Sequence, residues 1–235
     1  MIKIEELYVT GFPEAVRGMR NPLNSWHLSD SEFIETDDSE ECYILGERDF
    51  NLAKSLAKAG RDHAKYRRMI VVYADITAPL YWWKEFDTYK VGTVANSCST
   101  MHTIAKKEFT VDDFSHDQLI TSKDDRTWSS MDLLEAICEA LNDFRRLYLE
   151  TGNKTYWWQI IQLLPSSYNQ KRTVMMNYEV LANIWKGREG HKLDEWHRFR
   201  DWIAGLPYAE GIIFQEERHA ESYAETDKEE TAGRI

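Results

Sequence analysis

The chain has 235 residues, of which 43% are hydrophobic and 13% aromatic, and its formal net charge is -11. A chain of this size and composition can bury a sizeable hydrophobic core. The acidic balance argues against binding along a nucleic-acid backbone, because such binding needs an extended basic surface. We therefore expect no polynucleotide partner, whereas a local basic pocket for the phosphate of a single nucleotide is compatible with this charge.

The cysteines and the apolar segments indicate a cytoplasmic protein. Three cysteines, Cys42, Cys98 and Cys138, form no CxxC pair and leave one unpaired in any disulfide scheme, which disfavours a secreted disulfide scaffold or a zinc ribbon. The start of the chain lacks the pattern of a signal peptide, and no apolar run approaches the roughly 20 residues of a membrane span. We expect no membrane contact and no metal site.

The first half of the chain predicts alternating strands and helices. Residues 29–41 are acidic and rich in capping residues, which favours a solvated surface loop. A metal site built from these carboxylates is the less favoured interpretation, because their spacing matches no set of metal ligands. The other predicted elements are, in chain order, a strand over 2–9, a short helix begun by Pro13, a helix over 47–60 closed by Gly60, a buried strand over 67–77 and a helix begun by Pro79.

Helix dominates the predicted second half. Amphipathic spacing predicts helices over 129–150, 154–165 and 192–207, and the largely apolar segment 173–187 is interpreted as one buried helix. Residues 216–235 hold little that could be buried, so we expect an acidic, disordered tail. The pattern as a whole predicts an α+β fold with a single domain over 1–215.

Common catalytic motifs are absent from the sequence: it has no P-loop, no GxGxxG after a strand, no GxSxG and no HExxH. The polar stretch 89–104 holds Asn96, Ser99 and His102, which can donate hydrogen bonds to a phosphate or a heterocycle but are also typical of an ordinary loop. His63 lies among Lys65, Arg67 and Arg68, where an anion site and a solvated basic turn are both consistent with the pattern.

A second candidate stretch follows in the segment 177–191. Asn177 and Asn183 are six residues apart, roughly 120° from eclipsing on a regular helix, and Arg188 comes near the helix end. A guanidinium there can bind the carbonyls of a pyrimidine or a phosphate, or can act as a surface cation that interacts favourably with the helix dipole. The residues alone leave both interpretations open.

The order of these motifs resembles that of the flavin-dependent thymidylate synthases, the ThyX family, over about residues 45–205. That family has a Gly-His element, a strand, an Ala-Pro pair and a helix, then Arg-His-Arg and Asn-Glu-x-Ser motifs, a Leu-Pro turn, and a helix with Asn-x-Arg, a second Asn and a late Arg. The matching positions here are His63, Ala78, Pro79, Asn96, Ser99, Leu164, Pro165, Asn177, Asn183, Arg188 and, shifted by one residue, His191.

The resemblance implies a helix-rich α+β domain with a small, mainly antiparallel sheet, assembled as a homotetramer whose sites form between subunits. It implies reductive methylation of dUMP to dTMP, with FAD as cofactor and NADPH and methylenetetrahydrofolate as co-substrates. Arg188 would activate the uracil. By the same resemblance, flavin contacts fall on His63, Lys90, Asn177 and Asn183, and nucleotide contacts on Asn96 and Ser99.

Several family cations are missing from the matching positions. The Arg-His-Arg triplet is replaced by residues 88–90 or 89–91, which leave Lys90 as the comparable cation, and the Arg of Asn-x-Arg is Glu179. Because charge-assisted bonds to phosphate are strong and a carboxylate repels phosphate, affinity for FAD and dUMP should fall. Two alternatives are therefore kept: a non-catalytic protein that uses the same fold for binding or assembly, and a related flavin or nucleotide enzyme with another substrate.

Overall fold

The computed structural model describes residues 2–35, 41–122 and 128–215. Its strands are β1 (Lys3–Thr10), β2 (Glu32–Glu35), β3 (Glu41–Ile44), β4 (Val71–Pro79), β5 (Thr93–Ser97) and β6 (Asn169–Asn177). Its helices are α1 (Phe12–Arg20), α2 (Glu47–Lys58), α3 (Leu80–Phe86), α4 (Thr100–Thr103), α5 (Ser130–Thr151), α6 (Lys154–Leu163), α7 (Tyr178–Gly187), α8 (Asp194–Ala204) and α9 (Ala209–Ile212). None of these helices is long and apolar enough to cross a membrane.

The central feature is a four-stranded antiparallel sheet in the order β1-β4-β6-β5. In the middle, β4 pairs with β6 along its whole length, from Val71 opposite Asn177 to Pro79 opposite Asn169. Alternate residues of β4 point to one buried face, as expected for a strand covered on one side; they are Val72, Ala74, Ile76 and Ala78. The helix-rich α+β class predicted from the sequence is confirmed.

Aromatic packing fixes α3 against α8 beneath the sheet. Trp82 and Phe86 of α3 are almost fully buried and contact Trp196 and Phe199 of α8, with a distance of 4.8 Å between the Trp82 and Trp196 ring centres. Large aromatic side chains bury much apolar surface and pack in specific geometries. The polar residues at the ends of these two helices are therefore held in defined positions.

A second hydrophobic cluster lies between α5, α6 and the segment 104–114. The turn between the two helices follows Gly152, which has a φ of 65°. Leu141 and Ile160 meet Phe114, whose ring stacks edge-on to that of Tyr168 at 5.7 Å. The predicted helices 129–150 and 154–165 are confirmed, with Ser129 as the cap that accepts from the backbone of Asp132.

The prediction of a single helix over 173–187 is wrong for its first five residues. Residues 173–177 belong to β6 and pair with β4 on one side, and residues 173–176 pair with β5 on the other. Over so few residues, their β-branched and long apolar side chains fit both the period of a helix and the period of a strand. Pairing with a strand on each edge favours the strand. The helix starts only after Asn177, whose side chain accepts a hydrogen bond from the backbone of Val180.

The described part of the acidic stretch 29–41 departs from the predicted loop, because residues 32–35 form β2, which pairs antiparallel with β3. Asp49 of α2 is fully buried and accepts hydrogen bonds from Arg20, Ser29 and Ser31. Asp30 accepts from the first backbone N–H groups of α2. These bonds tie the segment before β2 to α1 and α2. Residues 36–40 and the predicted tail 216–235 lie outside the described residues.

Candidate functional site

The segment after α3 runs antiparallel alongside α7. At one end of this contact, a Cβ on Gly92, whose φ is +83°, would lie 2.5 Å from Nδ2 of Asn177. At the other end, the hydroxyl of Tyr89 would lie 3.3 Å from a Cβ on Gly187. Lys90 lies between these two contacts and is exposed. The structure thus places Lys90 and Asn177 on the same side of α7.

Arg188 follows the last residue of α7 and is held by side chains from two other segments. Its backbone N–H caps the helix by donating to Ile184 O at 2.9 Å. The guanidinium Nε donates to the hydroxyl of Tyr89 at 2.9 Å, and Nη1 donates to Oε2 of Glu85 at 2.8 Å. It also lies 4.4 Å from the ring centre of Trp196, within the range of a cation–π contact. Arg188 is therefore fixed in position, with its side chain 15% exposed.

One carboxylate oxygen collects three donors in this arrangement. Oε2 of Glu85 accepts from Arg188 Nη1, from Trp196 Nε1 at 3.0 Å, and lies 3.2 Å from Nε2 of His191. The backbone N–H of Leu193 donates to Nδ1 of His191, and Nε2 of the same ring lies between Oε2 of Glu85 and, at 3.1 Å, Nη1 of Arg188. Glu85 thus joins α3, the segment after α7, and α8, and it offsets the charge of Arg188.

The opposite side of α7 carries Glu179 and Asn183, which are four residues apart and therefore on one helix face. Glu179 forms a two-pronged ion pair with Arg68, including a bond of 3.0 Å from Nη2, and lies 3.5 Å from Nε of Arg61. The hydrogen bond from Arg68 lowers the pKa of Glu179. His63 and Asn183 are both exposed here. Arg68 is thus engaged by a carboxylate, which weakens the predicted anion site around His63.

Asn96 and Ser99 lie elsewhere in the chain. Asn96 is exposed on the edge strand β5, opposite Thr173 of β6, which is four positions from Asn177 and so roughly 13 Å away along the strand. Ser99 precedes the short helix α4, and its carbonyl accepts from Thr103. Within one copy, the structure does not bring these two residues to Arg188, and their stretch is an edge strand rather than a loop.

Sequence reasoning missed Glu85, Tyr89 and Trp196, three of the side chains that contact Arg188. A weak signal existed for the first two, because Glu85 and Tyr89 are four residues apart at the end of a predicted helix, one turn from each other. Nothing in the sequence linked either of them to Trp196, more than a hundred residues later. Their meeting depends on the packing of α3 against α8.

A surface depression of about 720 Å³ opens beside this cluster. It is lined by Tyr81, Glu85, Glu189, Gly190, His191, Lys192 and Leu193. Nη2 of Arg188 makes no hydrogen bond within the described part of the chain, although Arg188 is not itself among the residues that line the depression. No group of three or more His, Cys, Asp or Glu residues within the described ranges has the arrangement of a metal site.

No protein-family model matches the sequence, and no curated protein matches it. Solved structures do match in shape. Thymidylate synthase ThyX from Helicobacter pylori, crystallised with FAD and dUMP, superposes with a TM-score of 0.63 at 15% identity, over 92% of this chain and 98% of that one. The UMP/dUMP methylase PolB from Streptomyces cacaoi, bound with 5-Br UMP, gives 0.57 at 13% identity, over 91% and 93%. The chain has the ThyX fold, which confirms the resemblance at the level of structure.

Proposed function

We propose that this protein is a flavin-dependent methyltransferase of the thymidylate synthase type, which converts dUMP reductively to dTMP in the cytoplasm. The observation that carries the proposal is the match to a ThyX enzyme crystallised with FAD and dUMP, over nearly the full length of both chains. A likeness of this extent leaves little of the chain for a different architecture. Methylenetetrahydrofolate is the proposed one-carbon donor and NADPH the proposed reductant.

The fit of FAD is supported by the side chains around α7. Asn183 and His63 are exposed and available for the ring system, and Lys90 is an exposed cation on the other side of the helix. Glu179 repels phosphate less than its charge alone suggests, because Arg68 pairs with it. The amide of Asn177 is partly used as the cap of α7. Reduced flavin would supply hydride, and these residues would bind and orient it.

Arg188 is the proposed group that polarises the base. A guanidinium at a pyrimidine carbonyl stabilises negative charge that develops on the oxygen during reaction at the ring. Nη2 is the nitrogen we propose for this contact, while Nε and Nη1 hold the group in place through Tyr89 and Glu85. Glu85 reduces the net positive charge at this point, so it should weaken binding of an anionic nucleotide. Its position makes it a positioning residue of the proposed site.

Assembly is part of the proposal, because Asn96 and Ser99 do not reach Arg188 within one copy. We propose that they contact the nucleotide from a neighbouring subunit of a homotetramer. The outer face of the sheet supports this: paired residues in all four strands form an apolar row, in which Tyr8, Tyr73 and Val94 are 62%, 41% and 62% exposed. Met175 completes the row between Tyr73 and Val94. Exposed apolar patches of this kind mark interaction surfaces.

A non-catalytic binding or assembly protein with the same fold is the second candidate. It is favoured by the ion pairs that engage cations near α7, namely Arg188 with Glu85 and Arg68 with Glu179. If those pairs are permanent, no guanidinium is free to meet a substrate. The enzyme requires that Arg188 still reach the base through Nη2.

FAD titration separates these candidates. We expect saturable binding, followed by flavin absorbance and fluorescence, and a clear weakening in Asn183→Ala. Asn51→Ala removes an exposed amide from α2, away from the candidate site, and should bind FAD like the wild type. If FAD does not bind, or if both variants behave alike, the flavin proposal for Asn183 is wrong.

The reaction itself is tested by dTMP formation from dUMP with methylenetetrahydrofolate, NADPH and FAD. Arg188→Ala should abolish turnover, whereas Arg146→Ala, an exposed arginine of α5, should leave it unchanged. Glu85→Gln should lower the apparent Kd for dUMP, because it removes a carboxylate that competes with the nucleotide for Arg188. FAD binding without turnover in the wild-type protein would favour the non-catalytic candidate or another substrate.

A further inference from the structure

A cavity of about 240 Å³ lies between α1, β3 and the segment that connects α1 to β2. Its lining residues are Pro13, Val16, Arg17, Arg20, Trp26, Ser29 and Tyr43. None of these seven residues lines the depression beside Arg188, so the cavity is separate from the candidate site. Sites for drug-sized ligands have volumes of about 300 Å³ or more, so this cavity suits a smaller ligand with a single ring.

Two aromatic side chains in the lining are held in position by neighbours that do not line the cavity. Nε1 of Trp26 donates to Oδ1 of Asn21 at 2.8 Å. The ring of Tyr43 lies edge-on to that of Phe33, with 4.9 Å between the ring centres. Rings that are already fixed lose little conformational entropy when a ligand packs against them, and they pack well against another flat ring. The aromatic lining therefore favours a ligand with a planar ring.

The charged side chains in the lining are two arginines. Arg20 is only 5% exposed, and it donates from Nε to Asp49 at 2.6 Å and from Nη1 to the carbonyl of Ser25 at 3.3 Å. Arg17 is exposed and makes no hydrogen bond or ion pair within the described part of the chain. Because the last turn of a helix favours a cation, Arg17 alone would not indicate a ligand. Beside two fixed rings, however, its guanidinium offers five N–H donors to a bound anion.

Carboxylates near the cavity offer no acceptor to its interior. Burial raises the pKa of Tyr43, and the charges of Asp49 and Glu14 contribute to this shift, so both carboxylates are close. Neither of them lines the cavity. Asp49 is fully buried, with Oδ1 accepting from Arg20 and Oδ2 accepting four hydrogen bonds from residues 29–31. The preference for an anion therefore depends on which groups line the cavity, and not on the net charge around it.

We infer that this cavity binds a small aromatic carboxylate, whose ring packs against Trp26 and Tyr43 while its carboxylate accepts from the guanidinium of Arg17. A guanidinium and a carboxylate can form two parallel hydrogen bonds, and such charge-assisted bonds are stronger than those between neutral groups. A cationic ligand would be repelled by both arginines. The inference goes beyond the proposed methyltransferase activity and requires neither flavin nor nucleotide, so it can be tested on the protein alone.

The test compares benzoate with benzamide, which has nearly the same shape but no charge, by NMR titration of the full-length protein at pH 7. The indole N–H resonance of Trp26, assigned with Trp26→Phe, reports on the cavity. Benzoate should shift this resonance to saturation, and benzamide should bind about tenfold more weakly or worse, since charge-assisted bonds are replaced by neutral ones. Acetate, which lacks the ring, should also bind more weakly than benzoate. No saturation by benzoate, equal binding of benzoate and either other probe, or an unmoved Trp26 resonance overturns the inference.

Variants then identify the cation. Arg17→Gln removes the charge but keeps a polar side chain, and it should weaken benzoate about tenfold. Arg48→Gln removes one charge from an exposed position of α2, outside the cavity lining, and should leave the Kd unchanged. Arg20 is left intact, because its loss would leave Asp49 buried without its cation. Equal affinities for Arg17→Gln and Arg48→Gln would place the anion elsewhere and overturn the inference.

Discussion

The ion pair between Glu85 and Arg188 predicts an energetic coupling that a double-mutant cycle can measure. The two side chains are 34% and 15% exposed, so the pair lies between a surface ion pair and a buried one. Arg188→Ala removes the ion pair, the bond to Tyr89 and the contact with Trp196. Glu85 retains donors from His191 and Trp196 in that variant, so it is not left as an isolated charge.

The magnitude follows from these contacts. For Arg188→Ala we expect a loss of about 3 kcal/mol in the free energy of unfolding, from one partly buried ion pair, one hydrogen bond and one cation–π contact. Glu85→Gln retains an acceptor oxygen and should cost about 1.5 kcal/mol. The double variant should lose about 3 kcal/mol, because the pair is already broken in either single variant, which gives a coupling of about 1.5 kcal/mol.

Urea unfolding of the wild type, both single variants and the double variant supplies the four free energies. A matched cycle on Arg146 and Asp143 of α5 serves as the control, since these side chains are 59% and 69% exposed at a distance of 2.9 Å. We expect no measurable coupling there, because solvent screens an ion pair between exposed side chains. If the coupling between Glu85 and Arg188 is no larger than that of the control pair, Glu85 does not hold Arg188 in solution, and its role as a positioning residue is wrong.

Three further predictions concern other contacts. Asp49→Asn should cost about 3–5 kcal/mol in urea unfolding, because it disrupts a buried ion pair. Burial raises the pKa of Asp49, but hydrogen bonds from Ser29, Ser31 and Arg20 outweigh burial and lower this pKa. The ionised carboxylate therefore stabilises the fold above the unfolded pKa of about 4, and this stabilisation should disappear as the pH falls further. Gly92→Ala should cost about 2 kcal/mol or more by thermal unfolding, from strain at positive φ and a clash with the cap Asn177. Glu179→Gln should cost less than about 1 kcal/mol, because Arg68 is half exposed, and should tighten FAD binding in the same titration.

Much of this fold could be predicted because local pattern and tertiary packing agree. The strand over 67–77 and the helices over 47–60, 129–150 and 192–207 bury one face each, so their periodicity is visible in the sequence. The segment 173–187 failed because its first residues are apolar on both faces, and a central strand of a sheet has the same composition as a buried helix. Only the pairing partners distinguish the two, and they lie far away in the sequence.

The candidate site divides in the same way. The relative positions of Arg188, Asn177 and Asn183 follow from the sequence because these residues lie on or flank one short helix, where spacing in the sequence is spacing in space. Glu85 could not, since its role depends on α3 and α8 meeting through Trp82 and Trp196. Counting the cations at the positions that match the ThyX motifs does not give the charge of the site, because the neighbouring side chains form ion pairs. Glu85 partly neutralises Arg188, and Arg68 neutralises Glu179. The electrostatic field that a nucleotide or flavin would meet is set by these pairs, and neither partner alone predicts it.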